Sequence, residues 1–81
     1  MIGKTFTYTI VIDRDTEAGG FVATCPALPG VVTEGDTIEE TLEMARDAVR
    51  GYLESLQKDN LPIPVEENPI VSPVTVQLAA A

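Results

Sequence analysis

The sequence predicts an α+β fold of order β-β-β-α-β: a small, mainly antiparallel sheet with one helix packed on one face. Three observations predict it. Side chains alternate between two faces over Thr5–Asp13, and a second short alternating run covers Phe21–Cys25; period two with β-branched and aromatic residues marks half-buried strands. Apolar residues then recur at intervals of three and four from Ile38 to Leu56, the period of an amphipathic helix. Alternation returns at Val74, Val76 and Leu78. Eighty-one residues suit one domain. Residues 1–81 are therefore read as one unit, with an ordered core at about 4–58, a proline-rich connector at 61–73 and a last strand at 74–78.

In the first strand, Phe6, Tyr8, Ile10 and Ile12 point one way, and Thr5, Thr7, Thr9, Val11 and Asp13 the other. Asp13–Gly20 is a polar turn ending in two glycines, so strands one and two form a hairpin with a long loop. Phe21, Ala23 and Cys25 share a face of the second strand. Pro26, Pro29 and Gly30 then make a rigid loop: the prolines fix φ and remove two donors, and Gly30 has access to conformations closed to other residues. Val31–Gly35 is the third strand. Thr37 and Glu40 fit a capping box at the start of the helix, with Asp36, Glu39 and Glu43 placing negative charge near its positive end. The predicted apolar stripe is Ile38, Leu42, Ala45, Val49, Leu53 and Leu56, beside Tyr52. Asn60 suits a left-handed C-terminal cap, and Pro62 and Pro64 forbid continuation. One helix covers one face of the sheet. The other, carrying threonines with Val11, Val22 and Val32, is a candidate association surface.

Charge narrows the function classes. Five Lys and Arg stand against thirteen Asp and Glu, a formal net charge of −8. Nucleic-acid binding draws its affinity from cations that neutralise phosphates, so direct contact with nucleic acid or an anionic membrane is disfavoured. A basic protein partner is attracted. The single cysteine, Cys25, allows no internal disulfide, in keeping with a reducing compartment. The N-terminal segment lacks the apolar core of a signal peptide, and no apolar run approaches the length of a membrane span. These features lead to the expectation of a cytoplasmic protein.

Candidates for chemistry are few. The sequence has no histidine, hence neither the usual general base nor the commonest metal ligand. It has no phosphate-cradling glycine motif. Asp13, Asp15 and Glu17 alternate as in a calcium loop, but Ala18 and Thr24 stand where that loop needs glycine and glutamate. Cys25 has no cation near it in sequence and shares its parity with apolar residues, as a buried thiol does. The expectation is no enzyme, with no catalytic residue, cofactor or metal. Asp13, Asp15, Glu17, Glu34 and Asp36 are the candidate partner-binding residues.

Taken together, Pro26-Ala-Leu-Pro-Gly30, Thr33-Glu-Gly-Asp-Thr37, Glu40 with the Leu42–Ala48 helix, and Leu61-Pro-Ile-Pro64 resemble the N-terminal domain of HicB-like antitoxins. The likeness runs from Tyr8 through Pro64, and Pro26, Pro29, Gly30, Gly35, Thr37 and Glu40 are its structural motif. It implies a partial ribonuclease-H-like sheet without that fold's catalytic carboxylates. It also implies an antitoxin of a type II toxin–antitoxin system that binds and blocks a small basic HicA-like mRNA-cleaving ribonuclease, and self-association as a dimer or tetramer. Val31 stands where the family often has cysteine. Many members carry a C-terminal DNA-binding domain that this sequence does not include, so it is read as a stand-alone short member and promoter binding is not carried over. The alternative is a self-assembling orphan module with a regulatory or ligand-binding role and no toxin.

Overall fold

The computed structural model describes residues 3–67 and 70–80. β1 (Val11–Arg14), β2 (Phe21–Thr24) and β3 (Val32–Gly35) form one antiparallel sheet in the order β1-β2-β3, followed by α1 (Ile38–Lys58). The class is α+β, as the periodicities predict. The strands are shorter than the alternating runs, and hydrogen bonding explains why. β1 starts at Val11 rather than Thr5. Val11 pairs with Thr24, so continuing the register would set Thr9 opposite Pro26, which has no N–H to give. Cys25 leaves β2 because its carbonyl accepts from Leu28 N–H at 2.9 Å. Val31 stays out of β3 because its N–H donates to the Leu28 carbonyl at 2.9 Å.

The Pro26–Gly30 loop is therefore two successive turns, Cys25–Leu28 and Leu28–Val31, with a proline at the second position of each, the site its fixed φ suits. Leu28, at the shared corner, is fully buried and forms the core with Cys25 and Val31, against Tyr8, Ile10, Tyr52 and Leu53. Gly30 does not adopt the left-handed conformation expected of it; positive φ among the described glycines occurs at Gly19 and Gly20. What Gly30 lacks is room, because a Cβ there would lie 3.1 Å from Cε2 of Tyr52.

The ends of α1 follow the sequence signals closely. Thr37 caps the start, its hydroxyl accepting from Glu40 N–H at 3.0 Å. The return bond from the Glu40 carboxylate, which would complete the capping box, is not formed among the described residues. At the other end Asn60 is left-handed, with φ 55°. Its N–H donates to the Gln57 carbonyl and that of Leu61 to the Leu56 carbonyl, which satisfies carbonyls that would otherwise be orphaned.

The helix packs over β3 and β2, along its predicted stripe from Ala45 onward but not at the stripe's start. Its buried residues are Thr41 and Ala45. Ile38 and Leu42 are exposed. At Gly35 the sheet approaches so closely that an added Cβ would sit 2.7 Å from Thr41 Oγ1 and 2.9 Å from Thr41 N. Only a small side chain on the helix fits such an approach, and the Thr41 hydroxyl is satisfied by donating to the Thr37 carbonyl at 2.6 Å. Leu42 is thereby turned aside and lines a groove with Phe6, Tyr8 and Ile10.

The expected last strand is not formed in the single chain. Residues 70–80 have no ladder partner and are exposed throughout. A strand needs a neighbour for its backbone groups, and none of the described residues of this chain stands beside these. The radius of gyration, 16.2 Å, exceeds the roughly 12 Å of a compact chain of this length, because the segment projects from the body. Among the described residues, no helix is long and apolar enough to cross a membrane.

Candidate functional site

The five carboxylates singled out in the sequence lie at one end of the sheet. Arg14, Phe21 and Gly35 sit side by side in the register, so the loop after β1 and the junction after β3 emerge together. Gly20 joins them. With φ 78° and a Cβ position 2.6 Å from the Gly35 carbonyl oxygen, it lets the hairpin loop lie directly against the start of the helix; a side chain would hold them apart.

Within this end the acids have different tasks. The Asp15 carboxylate accepts from Glu17 N–H at 3.1 Å and Ala18 N–H at 3.0 Å. The Asp15 backbone closes the same loop, its N–H on the Gly20 carbonyl at 3.0 Å and its carbonyl accepting from Gly19 N–H at 2.9 Å. Asp15 is thus a turn-former, its Oδ1 already engaged by both N–H groups. Asp13, Glu17, Glu34 and Asp36 are exposed, and their carboxylates make no hydrogen bond or ion pair among the described residues. Asp13 and Glu34 flank Val22 across the strands on the face away from the helix. Val11, Thr24 and Val32 form the next row of that face. Glu39 and Glu40 in the first helical turn extend the negative region. Its one cation, Arg14, stacks over the Phe21 ring at 5.5 Å from the centroid.

The arrangement presents solvated negative charge beside a modest apolar row, which suits docking of a cationic surface. Among the described residues, no group of three His, Cys, Asp or Glu side chains could hold a metal ion. Cys25 is buried, as its parity predicted. Sequence reasoning named the acids but missed Gly20 as the residue that unites them; the Gly19-Gly20 pair was the available signal, legible as a turn but not as a contact with Gly35.

At the opposite end of the sheet the connector returns to the N-terminal segment. The Tyr8 hydroxyl donates to the Pro64 carbonyl. Thr9 donates to Glu66 through both its N–H, at 2.6 Å, and its hydroxyl, at 2.8 Å. Burial raises the Tyr8 pKa above its ordinary 10.0, with negative charge on Cys25 and Glu66 adding to the effect.

Comparison with known proteins gives this architecture a family. The family model described as a HicB-like antitoxin of bacterial toxin–antitoxin systems matches residues 8–76. The chain is similar to UPF0150 protein ssr1765 of Synechocystis sp., 35% identical over 73 residues that cover 90% of each chain. It is 47% identical over 57 residues to UPF0150 protein Ta0767 of Thermoplasma acidophilum, covering 70% of this chain and 81% of that one. Antitoxin HicB 1 of Photorhabdus laumondii is 36% identical over 77 residues, which cover 90% of this chain and 49% of the antitoxin. The chain belongs to the HicB-like antitoxin family.

Proposed function

We propose that the protein is the antitoxin partner of a small, basic, HicA-like mRNA-cleaving ribonuclease, which it inhibits by covering the RNA-binding surface. The observation that carries this reading beyond family membership is the gathering of Asp13, Glu17, Glu34 and Asp36 at one end of the sheet, unpaired and solvated. A ribonuclease attracts RNA with positive charge, and an inhibitor that offers negative charge to the same surface competes for it directly. Complementary charge speeds capture, while affinity rests on the contact that forms afterwards. On this reading the protein has no catalysis of its own, works in the cytoplasm and makes no direct contact with nucleic acid, which the net charge of −8 opposes.

The second reading, a self-assembling module without a toxin, is favoured by a different observation: the apolar, unpaired segment 70–80. Co-expression with the product of the adjacent gene separates the two. A stoichiometric complex, with growth rescued from the partner's toxicity, is the expected result. If the adjacent genes yield no small basic protein that co-purifies, the antitoxin assignment fails and the assembly module stands.

A further inference from the structure

The cations of this acidic chain are not spread evenly. Lys4, Arg46 and Arg50, three of the five Lys and Arg residues, line one trough on the flank of the fold, against one of the thirteen Asp and Glu residues, Glu54. All three cations are exposed. Their one ion pair among the described residues joins Arg50 to Asp47 at 3.7 Å, with both side chains well exposed. Such a pair is weak and leaves the guanidinium open to a better partner. Arg50 lies about 20 Å along the helix from the Thr37 cap. That exceeds the Debye length of about 8 Å at physiological salt, so the acidic end does not cancel its charge.

The trough has the shape of a site for an extended chain. Two confluent grooves, of about 400 and 360 Å³, share Phe6, Arg46 and Val49. α1 makes one wall, and the N-terminal segment from Lys4 to Ile10 the other. From Leu42 to Gln57 the helix wall runs about 22 Å, the length of about six or seven residues of extended peptide. Along the opposite wall, the backbone of residues 5–8 makes no hydrogen bond among the described residues. The outer edge of β1 beyond it is unpaired, because β2 occupies only its inner side. Backbone of this kind is what an added peptide strand pairs with. The two halves of the trough differ in chemistry. Toward Leu42 it is apolar, with Tyr8 and Ile10; toward Gln57 the cations stand beside Val49, Leu53 and Ile63.

We infer that this trough binds an extended acidic peptide of a partner protein, which adds as a strand along residues 5–8, with apolar side chains toward Leu42 and carboxylates on Lys4, Arg46 and Arg50. Charge complementarity selects this occupant. Residues 70–80 of the chain itself contain no charged side chain, so they would leave all three cations unanswered. RNA would meet the cations but not the unpaired backbone, and the net charge of −8 opposes the approach of a long polyanion. A short acidic peptide answers both. Its main-chain hydrogen bonds supply affinity, and the side-chain positions along the trough supply specificity. The inference does not rest on a toxin partner. The acidic end attracts cations and this flank takes carboxylates, so the two surfaces suit different proteins.

The test is fluorescence anisotropy on the full-length protein with dye-labelled, capped heptapeptides. These alternate valine and threonine in one half, carry two glutamates in the other, and are made in both chain directions. One direction is expected to bind with a Kd at or below about 100 μM. Its counterpart with glutamine in place of glutamate should bind about tenfold more weakly. Lys4→Glu combined with Arg46→Glu should reverse the preference, weakening the glutamate peptide by about tenfold and strengthening a lysine counterpart. The circular dichroism of this variant should match wild type, since both side chains are exposed. Lys4→Gln with Arg50→Gln, which adds no negative charge, should give the same weakening if the reversal lowers the helical signal. Equal binding of the glutamate and glutamine peptides, glutamate-peptide binding that survives both variants, no binding at about 1 mM, or tighter binding of a uridine heptanucleotide would each overturn the inference.

Discussion

At one end of the sheet the chain turns through two acidic loops, the β1–β2 hairpin and the β3–α1 junction. At the other it turns through Pro26–Gly30 and is met by the connector at Tyr8 and Thr9. The acidic end is short of apolar burial yet locally complete: Asp15 closes its own loop, Thr37 caps the helix and Gly20 lies against Gly35. The proline end holds the core of Cys25, Leu28 and Val31, yet its flank is unfinished, with an open groove and an unpaired edge. Charge gathers where the backbone satisfies itself, and exposed apolar surface remains where it does not. Solvated carboxylates need no partner to be stable, whereas an open sheet edge with apolar neighbours does.

The largest effect on this contrast is expected from Gly20→Val. The left-handed backbone and the overlap with the Gly35 carbonyl together should cost roughly 2–4 kcal/mol and separate the two acidic loops. Urea unfolding measures it, and a loss below about 1 kcal/mol would mean that the junction is looser than the geometry shows. Next comes a comparison inside the acidic end. Neutralising Asp13, Glu17 and Glu34 together (Asp13→Asn, Glu17→Gln, Glu34→Gln) should slow capture of a basic partner about tenfold at low salt, while changing stability by less than about 0.5 kcal/mol. Asp15→Ala should do the reverse, costing about 1 kcal/mol through the lost turn bonds with little change in capture rate. Stopped-flow association and thermal melts read the two effects. If Asp15→Ala slows capture as much as the triple variant does, Asp15 belongs to the interface after all.

The smallest effect is at the opposite end. The Tyr8 pKa is raised by burial, and by the charge of Cys25 and Glu66, above its ordinary 10.0, so folding favours the neutral hydroxyl that donates to Pro64. Because the folded pKa is the higher one, this contribution is fully present below pH 10 and is lost as pH rises through the folded value. Tyr8→Phe should flatten that alkaline loss. Identical alkaline slopes for the two proteins between pH 9 and 11, a window of about one unit on either side of the ordinary tyrosine value, would show that Tyr8 does not report on the connector.

Local signals were legible from residues alone wherever the chain satisfies itself over a few positions. Thr37 as cap and Asn60 as left-handed stop depend on neighbours within about four residues, which a sequence displays; Pro26–Gly30 was legible as a rigid loop, though not as two successive turns, and the hairpin as two alternating runs joined by a polar loop. The family resemblance was likewise legible in the Pro26–Gly30 and Thr33–Thr37 runs, and the family match extends over residues 8–76. The apolar stripe of α1 was read correctly at Ala45, Val49 and Leu53 but missed Thr41, because the stripe records hydrophobicity and the packing records distance. Thr41 is buried because Gly35 comes close, which periodicity does not encode.

The sequence by itself determined the α+β class, the order of the first four elements, the helix boundaries and the acidic balance, since these follow from period, caps and composition. Tertiary structure alone decided that β1 begins at Val11, since the register sets Pro26 opposite Thr9. It decided that Asp13, Glu17, Glu34 and Asp36 share one end, since Gly20 brings two loops into contact. It also decided that Val74–Leu78 pairs with no strand among the described residues. Alternation states that a segment has two faces; only the arrangement of the rest of the chain states whether a neighbouring backbone is there to receive it.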